Sequence, residues 1–421
     1  MNIKVKSITV EKLQQLPSNK RIKPKKPNIL FKTLLKIITL PDVWATKFKL
    51  NKIGMERLGK NEPCLILMNH SSFFDLKLMV NAMYPKPMNI VTTIDGLVGQ
   101  EWLLRNIGCM PTRKFVIDLG IIKDIKYCLT KLKSNVLMFP EAGYSFDGTS
   151  TVLPDSLGKL VKLLGAPLVS VIMNGSFARQ PLYNQLHLRK VKIDADMKYL
   201  LSPEEIKNLS AEEINAIIRK EFSFDQFRWQ QENNIKITEK NRADRLERVL
   251  YKCPHCLKEG EMVGFGTTLT CKACGKVYEL TESGTMQALD GDTEFDHVPN
   301  WYSWQRDCVK KELLNDEYHY EDFVDLYAVK DTKALYKLGD ARLVQNKEGL
   351  TLYDLDGKII FEQKPKYTYT LNADFYWYEI DDIVCIGNMD VSYYSVPKNN
   401  KCVAKMRLFA EELYKLEMQN K

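Results

Sequence analysis

Between residues 61 and 235, short uninterrupted apolar runs alternate with stretches of helical periodicity. Cys64–Met68, Asn89–Thr93, Val136–Phe139 and Leu168–Met173 predict buried strands, while Gly120–Lys133 and Ser156–Leu164 predict helices. Ser202-Pro-Glu-Glu reads as a capped start to a helical stretch ending near Phe227. This alternation predicts an α/β class, a central sheet flanked by helices. The polar run Gln230 to Arg248 predicts a linker, drawn at 236–250, or a solvated helix. Within a connector at 283–322, Pro299 to Leu314 has the pattern of one amphipathic helix carrying Trp301, Trp304 and Val309, expected to pack its tryptophans inward. Residues 323–421 are rich in tyrosine and β-branched residues, with turn signals at Gly339-Asp340, Asp356-Gly357 and Asn388. They predict a β-rich domain closed by a helix over Val403–Glu417.

The first 60 residues form a separate unit. Lys32 and Lys36 share one helical face of the segment Ile29 to Leu40, and Leu30, Phe31, Leu34, Ile37 and Ile38 cover the rest. Two readings of that helix stand together: it lies in a bilayer interface with its lysines toward anionic headgroups, or it packs on the following domain. Charge favours attention to it. The 421 residues carry 61 lysines and arginines against 53 acids, a net +8, yet residues 1–60 alone hold 15 basic and 3 acidic residues. The rest of the chain is slightly acidic. No stretch has the length of a membrane span, and Met1 to Lys26 is too polar for a secretory signal. The expectation is a cytoplasmic protein attached peripherally to the inner face of the membrane, through residues 1–60 on an anionic surface.

Four of the ten cysteines stand as Cys253-Pro-His-Cys256 and Cys271-Lys-Ala-Cys274. Two such knuckles deliver four thiolates to one tetrahedral ion, so residues 251–282 predict a zinc ribbon. Four cysteines leave no open position, which makes that zinc structural, and chelation is expected to unfold residues 251–282 while the domain at 61–235 stays folded. Residues 253–280 hold three lysines, three glutamates and no arginine. A neutral module is ill-suited to a phosphate backbone, so no nucleic acid is expected as partner.

The sharpest chemical motif is Leu67-Met-Asn-His-Ser-Ser-Phe-Phe-Asp75, an H-x-x-x-x-D at the end of an apolar strand. With a helix opening behind His70, the Asp75 carboxylate can fix one imidazole nitrogen and leave the other basic, making a general base. Further on come Ile107-Gly-Cys-Met-Pro-Thr-Arg-Lys114, Val136-Leu-Met-Phe-Pro-Glu-Ala-Gly-Tyr-Ser-Phe-Asp-Gly148 and Ala166-Pro-Leu-Val-Ser-Val171. These blocks, in this order, resemble the glycerolipid acyltransferase family, which includes lysophosphatidic-acid and glycerol-3-phosphate acyltransferases. The resemblance covers about residues 45–225, with the domain drawn at 61–235.

It implies transfer of a fatty acyl group from a thioester of coenzyme A or acyl carrier protein to a hydroxyl of a lysophospholipid or glycerol phosphate-type acceptor. His70 would be the base and Asp75 its orienting partner. Arg113, assisted by Lys114, would grip acceptor phosphate, and Glu141, Gly143 and Tyr144 would shape the acceptor pocket. Where the family continues E-G-T-R-S, this chain has Glu141-Ala-Gly-Tyr-Ser145, losing an arginine to Tyr144 and a glycine to Ala142. That favours an acceptor with a larger head group over a small phosphomonoester. The rival reading is a non-catalytic lipid-binding or scaffolding protein on the same fold. The tail, many strands closed by a helix, resembles the pleckstrin-homology-like architecture.

Overall fold

The computed structural model describes residues 3–116, 118–399 and 402–419. The N-terminal segment is a strap. It runs from β1 (Val5–Ser7) and α1 (Val10–Gln15) through extended backbone to α2 (Ile29–Thr46). Then come β2 (Lys49–Ile53), β3 (Leu65–Met68), α3 (Phe74–Met83), β4 (Met88–Thr93), α4 (Glu101–Asn106), β5 (Cys109–Thr112), α5 (Leu119–Tyr127), β6 (Asn135–Met138), α6 (Ser156–Leu164), β7 (Leu168–Asn174), α7 (Ser176–Arg179) and β8 (Asp194–Leu201).

Their strands form one sheet in the order β2-β8-β7-β3-β6-β4-β5. From β7 to β5 all neighbours are parallel, and β8 runs against β7. The apolar run of β3 explains its central place: all four residues are buried, and alternate side chains go to opposite faces. Leu65 and Leu67 pack with Ile125, Leu129 and Val161, while Ile66 and Met68 pack with Phe74, Leu78 and Met79. This is the expected α/β layer.

The stretch after Ser202 is three helices rather than one: α8 (Pro203–Asn208), α9 (Ala211–Glu221) and α10 (Gln226–Glu232). Each opens on its own cap, with Ser202, Ser210 and Asp225 accepting backbone N–H groups. The polar run after it is neither linker nor solvated helix. Its Ile237, Ala243, Leu246 and Val249 are buried. Arg242 bonds the Leu280 carbonyl and Glu279, and Arg248 pairs with Asp382 at 3.0 Å. Arginine's long stem and satisfied head allow so polar a sequence to be inlaid in a core.

The ribbon strands β9 (Met262–Phe265), β10 (Thr268–Cys271), β11 (Val277–Leu280) and β12 (Met286–Ala288) make a small antiparallel sheet. α11 (Val298–Leu314) follows, with Trp301 fully buried, its Nε1 donating to the Lys252 carbonyl at 3.0 Å. The tail comprises β13 (Tyr320–Val329), β14 (Leu335–Asn346), β15 (Gly349–Tyr353), β16 (Ile359–Gln363), β17 (Asn372–Trp377), β18 (Asp381–Gly387), β19 (Ser392–Pro397) and α12 (Val403–Gln419). Its strand order is β16-β15-β14-β13-β19-β18-β17, two antiparallel meanders (β13 to β16 and β17 to β19) joined by the β13–β19 pair and followed by α12, with β1 added parallel to β14. Gly339 does not end a strand as its turn signal suggested. It sits inside β14 at φ +99°, opposite the register shift between Leu326 and Tyr327, where a bulge needs a residue without Cβ.

One hydrophobic core joins the regions. Phe146 of the loop after β6, Phe177 of α7, Leu269 and Tyr278 of the ribbon, Trp301 and the tail's Phe375 and Phe409 belong to a single cluster. The ribbon is therefore a strut inside the molecule. No helix among the described residues is long and apolar enough to cross a membrane.

Candidate active site

The site forms where β3, β5 and β6 end, at the carboxyl edge of the parallel strands. Asn69 extends β3 by side-chain imitation of a strand, exchanging hydrogen bonds with the backbone of Met173 at 2.7 and 3.1 Å. The chain then turns, and Asp75 lies fully buried in the first turn of α3. Its Oδ2 accepts from the Ser71 and Ser72 N–H groups at 2.7 and 2.9 Å and meets His70 Nδ1 at 3.1 Å. A carboxylate so held keeps the proton on Nδ1, leaving the lone pair on Nε2. Burial lowers the His70 pKa below its ordinary value, Asp75 opposes that shift, and the Lys114 charge adds to it. The imidazole is thus neutral near pH 7, the state a base requires.

Two rings clamp the imidazole. Phe139 stacks on one face and Tyr144 on the other, each with centroids 4.0 Å away, and 17% of the His70 side chain stays exposed. Glu141 is wholly buried between two loops, accepting from His70 N at 3.1 Å through one oxygen and from Thr151 N at 2.7 Å through the other. Burial raises its pKa to about 7 against those two donors. Ala142 adopts φ +51°, the left-handed region that glycine occupies without strain, and Gly143 is buried beside it.

Arg113 is placed otherwise than the resemblance implied. It turns from His70 into the tail, 6% exposed. Its Nε donates to Met389 O, Nη1 to Val329 O and Ser392 Oγ, and Nη2 to Lys330 O and Asp390 O, all between 2.7 and 3.1 Å. All five donors are spent, so none is left for a phosphate. The correction has a simple cause: the tail packs on the β5 end of the sheet, and the guanidinium fork fits its carbonyls. Lys114 keeps a half-buried position whose charge acts on both His70 and Asp374.

The tail also walls the site, which the sequence did not reveal. Phe375 of β17 stacks on Phe146 at 4.1 Å, and Tyr378 donates its hydroxyl to the Asp95 carbonyl at 2.6 Å. Next to Phe375, burial pushes the Asp374 carboxyl up to about 6. Arg407 of α12 donates to the Tyr144 carbonyl at 3.3 Å. These residues lie more than 200 positions from His70, and no local pattern marks them.

The four ribbon cysteines converge. All four sulfurs lie within 4.8 Å of one another, with Cys253–Cys274 at 3.8 Å and Cys256–Cys271 at 3.7 Å. A tetrahedron with zinc–sulfur bonds of about 2.3 Å has edges of roughly 3.8 Å, so the set fits such an ion. His255 is exposed and bonds Glu294 at 3.2 Å, outside the cluster.

Residues 49–174 match the family model described as Acyltransferase, so the chain carries an acyltransferase domain over that stretch. No curated protein matches the chain in sequence. Among solved structures, the 1-acyl-sn-glycerophosphate (LPA) acyltransferase PlsC from Thermotoga maritima is similar at 17% identity, over 45% of this chain and 76% of that one, with a TM-score of 0.34.

Proposed function

We propose that the protein transfers a fatty acyl group from a coenzyme A or acyl-carrier-protein thioester to a hydroxyl of a lysophospholipid or glycerol phosphate-type acceptor. The observation that carries this reading is the His70–Asp75 pair, with Nδ1 tied and Nε2 without a partner among the described residues, beside the acyltransferase motif blocks. Nε2 takes the proton of the acceptor hydroxyl as its oxygen attacks the thioester carbonyl. Collapse of the tetrahedral intermediate breaks the carbon–sulfur bond, and the imidazolium returns the proton to the leaving thiolate. Asp75 stabilises the imidazolium between those steps. Tyr144, covering the imidazole where the family has arginine, favours acceptors whose head group is larger than a bare phosphate. Radiolabelled transfer to a panel of lysolipids tests the reading. Lipid binding without transfer to any acceptor would establish instead the scaffold reading, which the tight ring clamp on His70 also accommodates.

The same reading attaches the protein to an anionic membrane surface, on the cytoplasmic side. Support comes from the inverted faces of α2. Its polar side docks inward: Lys32 Nζ bonds Pro85 O at 3.0 Å, Lys36 lies over the Tyr84 ring, and Asn81 bonds Thr39. The lysines are therefore not the headgroup-facing side. Leu30 is 74% exposed, Trp44 71%, and Leu34, Ile37 and Ile38 more than half, continuing to Trp102 of α4. An outward apolar face of this size suits a bilayer interface. The N-terminal segment is also part of the fold, because Leu13 is in the main core and Arg21 pairs with Asp124 at 2.7 Å. Leu30→Glu with Ile37→Glu is expected to abolish flotation with anionic vesicles while secondary structure by circular dichroism is kept. Unchanged flotation would refute the interface.

We assign the four cysteines to one structural zinc, which elemental analysis of protein purified under reducing conditions should find at one per chain. Because the ribbon shares the main core, chelation is expected to lower the melting temperature of the whole molecule. Melting of residues 251–282 alone would refute that coupling.

A further inference from the structure

The loop that leaves Glu141 has a second face, away from His70. Behind it lies a cavity of about 350 Å³, walled by residues 146–147 and 149–151, Asp225, the N-terminal half of α11, and Arg407 and Glu411 of α12. Asn300 and Ser303 are exposed at its rim. This is the size range of small-molecule sites.

The wall carries two arginines. Arg407 Nε bonds Glu411 Oε1 at 3.2 Å and Nη1 bonds the Tyr144 carbonyl, while Arg306 Nη1 meets Glu411 at 2.7 Å and Glu412 at 3.0 Å. Arg306 Nε and Nη2 and Arg407 Nη2 have no partner among the described residues. Each carboxylate on the wall, by contrast, has a partner among the described residues, although Glu411 Oε2 has the Arg306 ion pair and no hydrogen bond. Asp147 takes the Thr149 N–H and hydroxyl, Asp225 pairs with His297 at 2.7 Å, and Glu411 also accepts from the Thr370 hydroxyl. Thr151 adds a buried hydroxyl oxygen without a hydrogen-bond partner among the described residues. The first turn of α11, a 17-residue helix, brings its positive end to the same wall. Surplus guanidinium donors, an unpaired hydroxyl and no free carboxylate make a site for an anion, and the planar fork of arginine suits phosphate oxygens.

We propose that this cavity binds a phosphate-bearing small molecule of glycerophosphate size, held by Arg306 and Arg407. The phosphate belongs either to a free metabolite or to the head group of a lysolipid. A ligand there touches the loop that positions the catalytic pair: Arg407 holds the Tyr144 carbonyl, and the Thr151 N–H holds Glu141. Occupancy thus bears on Tyr144 and Glu141, two of the groups that contact His70.

Titration calorimetry of the full chain with glycerol 3-phosphate and with inorganic phosphate tests the site without turnover. Binding is expected in the wild type and equally in His70→Ala, so failure of this site and failure of acyl transfer are read separately. Arg306→Gln should weaken binding about tenfold, the order expected for losing charge-assisted bonds to one phosphate. Ser303→Trp, at an exposed helix position, should block the rim to the same degree with the fold intact by circular dichroism. Displacement of glycerol 3-phosphate by a short-chain lysophosphatidic acid would identify the lipid head group as the source; no displacement would identify the free compound. Absence of binding by either phosphate compound, or unchanged affinity in both variants, would overturn the proposal.

Discussion

The loop after β3 and the loop after β5 leave the same edge of one sheet, and each carries a residue suited to chemistry. In the first, His70 is held by Asp75 yet keeps 17% of its side chain exposed and one nitrogen without a partner among the described residues. In the second, Arg113 has every donor bonded to the tail. The edge of a parallel sheet makes side chains available, but a domain packed against it decides which stay so. A cation at a site's margin is read safely as a ligand-binding group only once its donors have been counted.

Breaking the first loop should have the largest effect. His70→Ala is expected to lower kcat/KM by about 10²–10⁴, the usual contribution of a general base, while lipid binding persists. The pH profile sharpens the point. Burial holds the His70 pKa down, so kcat/KM should fall only as pH drops through a value below the ordinary histidine range, and stay level above it. Asp75 raises that pKa, so Asp75→Asn should move the acid limb to still lower pH as well as reduce the rate. A wild-type rate from His70→Ala would remove the proposed base.

Breaking the second loop should act on the fold instead. A phosphate-gripping Arg113, as the resemblance implies, would give Arg113→Ala a raised Michaelis constant for the acceptor. The geometry predicts loss of about 3 kcal/mol or more of stability, because several buried carbonyls lose their donor at once. Urea unfolding of Arg113→Ala and Arg113→Lys measures it. Lysine, with one point charge, should recover only part of the loss. Unchanged stability with a raised Michaelis constant would restore the phosphate-binding role and erase the contrast.

The same contrast describes what the sequence disclosed. The buried strands were visible because a strand covered on both faces is apolar without interruption, and His70 and Asp75 were visible because their contact is local. Four cysteines at knuckle spacing announced their cluster for the same reason. What stayed hidden was long-range. Asp374, Phe375 and Arg407 reach the site from the tail, and Arg113 leaves it for the tail, through contacts that no periodicity encodes. The faces of α2 show a subtler limit. Periodicity separated Lys32 and Lys36 from Leu30, Leu34 and Ile37, but not which side would dock, and Tyr84 and Pro85 took the lysines.

The smallest predicted effect compares backbone strain in the loop after β6, which carries Glu141, and the loop after β5. Ala142, behind Glu141, has φ +51°, and Phe115, behind Lys114, has φ +55°. Each holds an L-residue in the left-handed region, at a cost of about 1–2 kcal/mol relative to glycine. Glycine returns about 0.4–1 kcal/mol of that through its freer unfolded chain. Ala142→Gly removes only a methyl group, so it should stabilise the protein slightly, by up to about 1 kcal/mol. Phe115→Gly relieves the same backbone but forfeits the ring that meets Tyr369 edge-on at 5.6 Å, and should destabilise it. Opposite signs in paired urea titrations are expected. If Ala142→Gly were the more destabilising of the two, strain would not be what the glycine at this position relieves, and the Ala142 methyl would have to be supporting Glu141 directly.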